Sequence, residues 1–317
     1  MDKKFDHYSV MKEQCLEALC VRGDGVYVDM TVGGGGHALA VAQQLTTGTL
    51  IGIDRDADAI HAAGARLAGV SARVILVKDN YKNIKKIVYG LGFEAVDGIL
   101  CDMGVSSYQL DSAERGFSYH HDAPLDMRMD RDAPFTAYTV VNEYPLEKLS
   151  DILFRYGEEK NARRIAARIV SARSKKPVET TLELAEIVKS AFPAVQRFAD
   201  KHPAKRTFQA IRIEVNDELK DLEKAFEDAV DLLAPGGRIA VMTFHSLEDR
   251  IVKNTFRRLS QGCTCDKNLP VCVCGNRKII KLINRKPISA DERELVLNKR
   301  SRPAKLRIGE KLQEEEK

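Results

Sequence analysis

Four aspartates stand where a folded sheet would offer them to a ligand. Asp29, Asp54, Asp79 and Asp102 each fall at or just beyond the end of an apolar run that reads as a strand. The first run continues through Met30-Thr31-Val32 into Gly33-Gly34-Gly35-Gly36, and a helical pattern begins at His37. A turn without β-carbons lets a ligand lie against the backbone, and the N–H groups opening the next helix favour a carboxylate or phosphate. Thr49 to Asp54 is a second apolar strand closing on an acid, about 20 residues on, where α/β nucleotide sites present a carboxylate to ribose hydroxyls. Together these residues point to a nucleoside-containing cofactor. They leave open which one, because the glycines do not give the G-x-G-x-x-G spacing of a dinucleotide fold.

The elements that must position these acids follow from periodicity. An amphipathic lead-in helix spans His7 to Val21. After the glycine turn come a helix from about His37 to Leu45, the strand ending at Asp54, an alanine-rich helix over Ala57 to Leu67 and a strand over Arg73 to Val77. A helix over Ile84 to Leu91 and a strand over Val96 to Asp102 complete the series. Such alternation implies a parallel sheet with right-handed crossovers and ligands at the strands' carboxyl ends. From Val105 to about Thr207 no apolar strand is convincing: a polar loop over Ser106 to Arg131 precedes helical patterns at Pro145–Phe154, Glu158–Ser174 and Leu182–Ala191. The alternation then returns with a long helix, Phe208 to Leu233, stopped by Ala234-Pro235-Gly236-Gly237, and a strand over Arg238 to Phe244. A helix over Leu247 to Leu259, a strand over Lys278 to Ile283, an antiparallel edge strand over Ala304 to Ile308 and a frayed acidic tail from Glu310 complete the chain. The expected division is a sheet domain over 1–110 and 207–317, interrupted by an all-helical insertion over 111–206.

At 317 residues, 44% hydrophobic and 30% charged, the chain is large enough to bury a core without staples. Its net charge of +4 is modest, so a nucleic-acid surface must arise from local clustering. No apolar leader or membrane-length stretch appears, which gives the expectation of a cytoplasmic protein without membrane contact. Cys15, Cys20 and Cys101 read as small buried hydrophobes, whereas Cys263, Cys265, Cys272 and Cys274 crowd one loop in two C-x-C pairs. In a cytosolic protein that loop is reduced or metal-bound rather than disulfide-linked. Four thiolates suit zinc, although structural sites more often use C-x₂-C spacing.

A glycine-rich first turn, an acid ending the second strand and a Pro-Gly-Gly turn before the fifth resemble the Rossmann-like sheet of S-adenosylmethionine-dependent methyltransferases. The segments Asp102–Leu110, Glu114–Ser118, Pro124–Asp130, Arg206–Ile213 and Phe244–Arg250 resemble one family more closely: the bacterial small-subunit (16S) ribosomal RNA cytosine-N4 methyltransferases of the MraW/RsmH type. The resemblance runs from about His7 to Ile308. It implies a methyltransferase sheet with an inserted helical domain, S-adenosylmethionine as cofactor, and the exocyclic N4 of a cytidine in the decoding region as acceptor, in 16S RNA or the small ribosomal subunit. Mapped onto matching positions, it implies Gly35, Gly36 and His37 at the cofactor's carboxylate, Asp54 on its ribose, Tyr81 beside its adenine, and Asp102 and Gln109 near its methionine end. The chain departs from the family at Gly34, where Arg is usual, at Tyr108, where Pro is usual, and at Met30, where Gly is usual.

Methyl transfer from a sulfonium is a direct displacement, so positioning dominates and no metal is assigned to it. Cytosine N4 is a poor nucleophile, and an acceptor for its amino protons would favour a pyramidal nitrogen and take up developing positive charge. Asp102 is the first candidate, with binding of the cofactor's amino group as its competing role. Ser106 and Ser107 could read the base edge or only shape a turn. His245 and Glu248 come off the fifth strand into the same cleft, or His245 only caps the following helix. For RNA contact, Lys160, Arg163, Arg164, Arg168, Arg173, Lys175 and Lys176 occur without an intervening acid, and Lys160, Arg164 and Arg168 form a helical stripe. Lys201, Lys205, Arg206, Arg300, Arg302, Lys305 and Arg307 add positive charge elsewhere. The rival readings are a methyltransferase acting on DNA or protein, a non-catalytic RNA-binding or assembly factor, and an NAD-dependent oxidoreductase. The assembly state is left between monomer and homodimer.

Overall fold

The computed structural model describes residues 9–194, 202–266, 271, 274 and 276–313. Seven strands form one sheet: β1 (Val26–Asp29), β2 (Thr49–Asp54), β3 (Arg73–Lys78), β4 (Val96–Asp102), β5 (Leu233–Thr243), β6 (Ile280–Leu282) and β7 (Lys305–Lys311). Their order is β3-β2-β1-β4-β5-β7-β6. The first five are parallel, β7 runs antiparallel to β5, and β6 antiparallel to β7. The central strands are buried on both faces, as covered parallel strands must be: Leu50, Ile51, Ile53, Ile99 and Val241 are fully inaccessible. The reversal of strand order falls between β1 and β4, and the carboxyl ends there carry Asp29 and Asp102. Such a switch point opens a crevice for ligands.

Helices α1 (Lys12–Leu19), α2 (Gly36–Ala42), α3 (Ala57–Leu67) and α4 (Ile84–Gly90) connect these strands. The helix α3 starts where the Asp56 carboxylate accepts the Asp58 N–H, and its Ala59, Ala63 and Leu67 turn to the core. Next come α5 (Ser107–Asp111), α6 (Ala137–Glu143), α7 (Leu146–Arg155), α8 (Ala162–Arg173), α9 (Thr181–Ser190) and α10 (Lys205–Asn216). The last three helices are α11 (Leu222–Leu232), α12 (Ser246–Leu259) and α13 (Glu292–Leu297). None is long and apolar enough to cross a membrane among the described residues.

The chain packs as two compact units, Met1–Gly104 with Lys220–Lys317, and Val105–Leu219. The second has its own apolar core, built on Leu149, Leu153, Ile165, Ile169, Leu184, Val188, Phe208 and Ile211. It is wider than the expected 111–206. Val105 and Leu110 pack on that core at one end, and α10 contributes Phe208, Ala210 and Ile211 at the other.

Four local expectations need correction. The single helix over Phe208–Leu233 is two, because the Asn216 side chain accepts the Met129 N–H (2.7 Å) and donates to the Met127 carbonyl (2.7 Å), and Asp217 and Asp221 both take left-handed backbone. The short helices α5, α6 and α13 fell below the length at which periodicity speaks. The tail is ordered through Lys311, since Glu310 pairs with Arg238 (2.8 Å) across β5 and β7. Cys20, unlike Cys15 and Cys101, is exposed; it ends α1 in left-handed backbone, and its sulfur accepts from Arg238 (2.7 Å).

Candidate active site

In the sheet unit the glycine turn is held by its own backbone: Gly35 N–H donates to the Val32 carbonyl (2.8 Å) and Val32 N–H to the Ile53 carbonyl (2.9 Å). Gly33 (φ 49°) and Gly35 (φ 77°) occupy the left-handed region. A β-carbon at Gly35 would sit 3.1 Å from Ala63 Cα, and one at Gly36 would sit 2.0 Å from Ser9 Oγ. At Gly34 a β-carbon would meet nothing within 4 Å. That explains why position 34 accommodates either the glycine here or the arginine usual in the resembled family. Among the described residues no side chain caps the start of α2.

Asp54 is built into this turn. One carboxylate oxygen accepts the Gly33 N–H and the other the Asp56 N–H, each at 2.9 Å. Burial nonetheless pushes its pKa up to about 6, against those two hydrogen bonds. Asp29, enclosed beneath the turn, is pushed up to about 7 by burial, with the Thr31 N–H opposing and the Asp54 charge adding. Asp102 lies well above the ordinary carboxylate range through burial, then through the charges of Asp29 and Glu248. Its backbone N–H donates to Thr31 Oγ1 (2.7 Å), tying the end of β4 to β1. Among the described residues, its buried Oδ1 has no hydrogen-bond partner and neither does His37 Nε2, which lies 3.6 Å from Asp102 Oδ2. Burial, with Lys12 adding, lowers the imidazole to about 4. His37 is therefore neutral and can donate or accept one hydrogen bond, but it offers no positive charge to a carboxylate.

Tyr81 opens a short 3₁₀ turn after β3 and is half-buried. Asp79 shapes that turn, with its Oδ1 accepting from Asn80 N–H (2.6 Å) and Asn83 Nδ2 (2.8 Å). His245 and Glu248 form a capping box at the start of α12. The Glu248 carboxylate accepts the Phe244 N–H (2.9 Å) and His245 N–H (3.2 Å), while its other oxygen lies 2.9 Å from His245 Nε2. The two residues shape the end of β5, next to the Met103 N–H that donates to the Met242 carbonyl.

In the helical unit Ser106 and Gln109 form a second capping box, which starts α5: Gln109 N–H donates to Ser106 Oγ (3.2 Å) and Ser106 N–H to Gln109 Oε1 (3.0 Å). Ser107 opens that helix, and its side chain lies outside the described set. Arg115, almost wholly buried, donates to the Arg128 and Met129 carbonyls. Arg128 forms a two-pronged pair with Asp126 (2.7 and 2.8 Å), and at Gly116 a β-carbon would strike the Pro124 carbonyl at 2.4 Å. The motifs Glu114–Ser118 and Pro124–Asp130 thus hold a long loop in one shape through side chains rather than secondary structure.

On α8, Arg163, Arg164 and Arg168 are exposed, as is the preceding Lys160, while Ile165 and Ile169 face the core. Of the other residues of the basic run, Arg173 donates to the Val141 (2.6 Å) and Tyr144 carbonyls, and Lys176 pairs with Glu179 and Glu183. Elsewhere Lys305 and Arg307 are engaged by Asp249, and Lys201 lies outside the described residues. Residues that sequence reasoning passed over are Thr31, which fixes Asp102, Ser9, which covers Gly36, and Asp29 as an electrostatic neighbour of Asp102. The only signal for Thr31 was its place between Asp29 and the glycines.

The profile of the MraW methylase family matches residues 4–312. The chain is 53% identical over 309 residues to the "Ribosomal RNA small subunit methyltransferase H" of Brevibacillus brevis, covering 97% of this chain and 98% of that one. It is also 53% identical over 310 residues to the protein of the same description from Symbiobacterium thermophilum, covering 98% of each.

Proposed function

The chain belongs to the MraW methylase family and is an S-adenosylmethionine-dependent ribosomal RNA methyltransferase, and we propose that its acceptor is the exocyclic N4 of one cytidine in the decoding region of the small-subunit RNA. The observation that carries this reading is Asp102: a half-buried carboxyl at the sheet's switch point whose one buried oxygen, Oδ1, has no hydrogen-bond partner among the described residues. The site suits the cofactor. The glycine turn has no room for β-carbons at positions 35 and 36, and partnerless polar atoms on His37 and Asp102 await donors or acceptors. Gly35, Gly36 and His37 would hold its amino-acid end, Asp54 its ribose and Tyr81 the side of its adenine. When bound, the cofactor supplies a methyl group on a sulfonium.

The protein's own task is to present the acceptor. Ionised, Asp102 Oδ1 would accept a hydrogen bond from the N4 amino group, which favours a pyramidal nitrogen and stabilises the positive charge developing on it, and would take the proton that the nitrogen loses as the new N–C bond forms. Thr31 holds Asp102 in place through the backbone, and neutral His37 keeps the carboxylate's other side free of a competing cation. Gln109, engaged with Ser106, acts by fixing the loop that follows Asp102 in the chain. Ser106 serves the same turn.

Purified protein offered methyl-labelled cofactor with small ribosomal subunits, naked RNA, DNA and protein should label small-subunit RNA. Nucleoside digestion should place the label in N4-methylcytidine. Asp102→Ala should reduce the rate by at least about 100-fold, the usual scale for loss of a proton acceptor. Label in DNA, in protein or on another RNA atom would overturn the proposed acceptor, and an undiminished Asp102→Ala rate would remove Asp102 from the reaction.

A further inference from the structure

The loop between α12 and β6 contains chemistry that methyl transfer does not use. Its neck is closed where the Ile279 N–H donates to the Leu259 carbonyl (2.8 Å). Inside it, Cys263, Cys265 and Cys274 bring their sulfurs within 4.8 Å of one another, without a disulfide among them. Cys263 Sγ and Cys274 Sγ are 3.7 Å apart. A disulfide needs about 2.05 Å, whereas a tetrahedral ion with Zn–S bonds of about 2.3 Å sets its sulfurs about 3.8 Å apart. In this structure the Cys274 thiol donates to Cys263 Sγ across that separation, which matches a coordination edge and so lets a cation replace the shared proton without moving the two sulfurs.

The backbone is arranged for thiolates. Cys265 N–H donates to Cys263 Sγ (3.4 Å) and Cys274 N–H to Cys265 Sγ (3.3 Å). Cys274 Sγ receives two N–H groups, from Thr264 (3.4 Å) and Asn276 (3.5 Å). A side-chain bond from Asn276 Nδ2 to Thr264 Oγ1 (2.9 Å) joins the two arms. N–H donors aimed at sulfur stabilise the anionic form that a metal requires and orient its lone pairs, as outer-shell partners do in metal sites. Apolar burial cannot explain the shape: the loop's described cysteines and their neighbours are exposed or half-exposed. Cys272 lies outside the described residues and takes no part in the argument.

We propose that Cys263, Cys265 and Cys274 bind a thiophilic divalent cation, zinc, as a structural clamp that fixes the loop between α12 and β6. Soft thiolates select this class over magnesium or calcium, and the clamp stands in for apolar burial, which the loop's described residues lack. Full-length protein purified under reducing conditions without added metal should contain about one zinc per chain by elemental analysis. Exchange with cobalt should give the thiolate charge-transfer absorption of a tetrahedral sulfur site. The double variant Cys263→Ser, Cys265→Ser should retain less than about a tenth of the zinc and lose the cobalt band, while its far-ultraviolet circular dichroism stays that of the parent. The wild-type cobalt spectrum decides the matter even if the variant folds poorly. No zinc in the parent together with no cobalt band overturns the proposal. So does equal metal content in parent and variant, or a parent mass two hydrogens short with no metal bound.

Discussion

Gly34 and Gly35 are neighbours in one turn and carry different burdens. Gly35 has left-handed backbone and Ala63 Cα 3.1 Å from where its β-carbon would fall, so alanine there strains the turn by about 1–3 kcal/mol. Gly34 faces open space. Calorimetry with S-adenosylhomocysteine should therefore show Gly35→Ala weakening binding at least about tenfold, which corresponds to about 1.4 kcal/mol. Gly34→Ala should bind within about twofold of the parent; equal loss in both variants would mean that the turn's glycines act through flexibility rather than space. The sequence displayed four glycines alike, because residue type does not record φ. Ser106 and His245 show another limit at this scale. An oxygen or ring nitrogen just ahead of a helix serves a ligand or a cap with the same chemistry, and here both serve caps. The expectation that Ser106 shapes a turn and His245 caps a helix stopped short of their partners: both head capping boxes, and the second members, Gln109 and Glu248, are occupied for the same reason.

Strands ending in acids and helices with a clean apolar stripe could be read from sequence almost to the residue, since burial imposes their period. What could not be read was held by long-range side-chain bonds. The break after Asn216 depends on the Met127–Met129 backbone, a partner some ninety positions earlier in the chain. The helix α8 lies between these cases. Its expected stripe, Lys160, Arg164 and Arg168, is exposed together with Arg163, and none of the four has an acidic partner among the described residues, whereas Arg173 is spent on two carbonyls. Arg164 and Arg168, four residues apart on α8, with Lys160 just ahead of the helix, fit a phosphate backbone. If they contact RNA, each lost contact reduces the slope of log K against log salt by about 0.7–0.9. Arg164→Glu with Arg168→Glu should weaken RNA binding and flatten that slope by about 1.5, measured by filter binding over a salt series, with melting unchanged. Arg173→Ala should instead lower the melting temperature. Unchanged RNA affinity at every salt concentration in the double variant would show α8 to be only a solvated face.

Taken as a whole, the molecule holds protons at the carboxyl ends of β1 and β2, where burial raises Asp29 and Asp54. Asp29 and Asp54 are raised to about 7 and about 6 from an ordinary 3.8, chiefly by burial, so between those values the folded chain holds protons that the unfolded chain has released. Their contribution to stability is complete below about 3.8 and disappears as pH rises through 6 and 7. Asp102, also raised, acts in the same sense. His37 acts oppositely. Lowered to about 4 from 6.5 by burial, it contributes stability that is present above 6.5 and lost as pH falls towards 4. The acids outweigh one imidazole, so the unliganded protein should melt at progressively lower temperature as pH rises from about 5 to 7. Asp249 and Asp126 are lowered despite burial because Arg307, Lys305 and Arg128 bond them, and their effect is confined to pH below the ordinary carboxylate range. A cofactor carrying a sulfonium charge favours the ionised acids, so its binding releases protons and tightens with pH, by up to about tenfold per pH unit for each proton released. S-adenosylhomocysteine has the same ribose and amino-acid groups without that charge and should tighten less. Thermal melts from pH 5 to 8, with each ligand and without, test both points. The increment from S-adenosylmethionine should grow across this range faster than that from S-adenosylhomocysteine, and parallel increments would mean that the buried acids respond to the shared groups and not to the sulfonium.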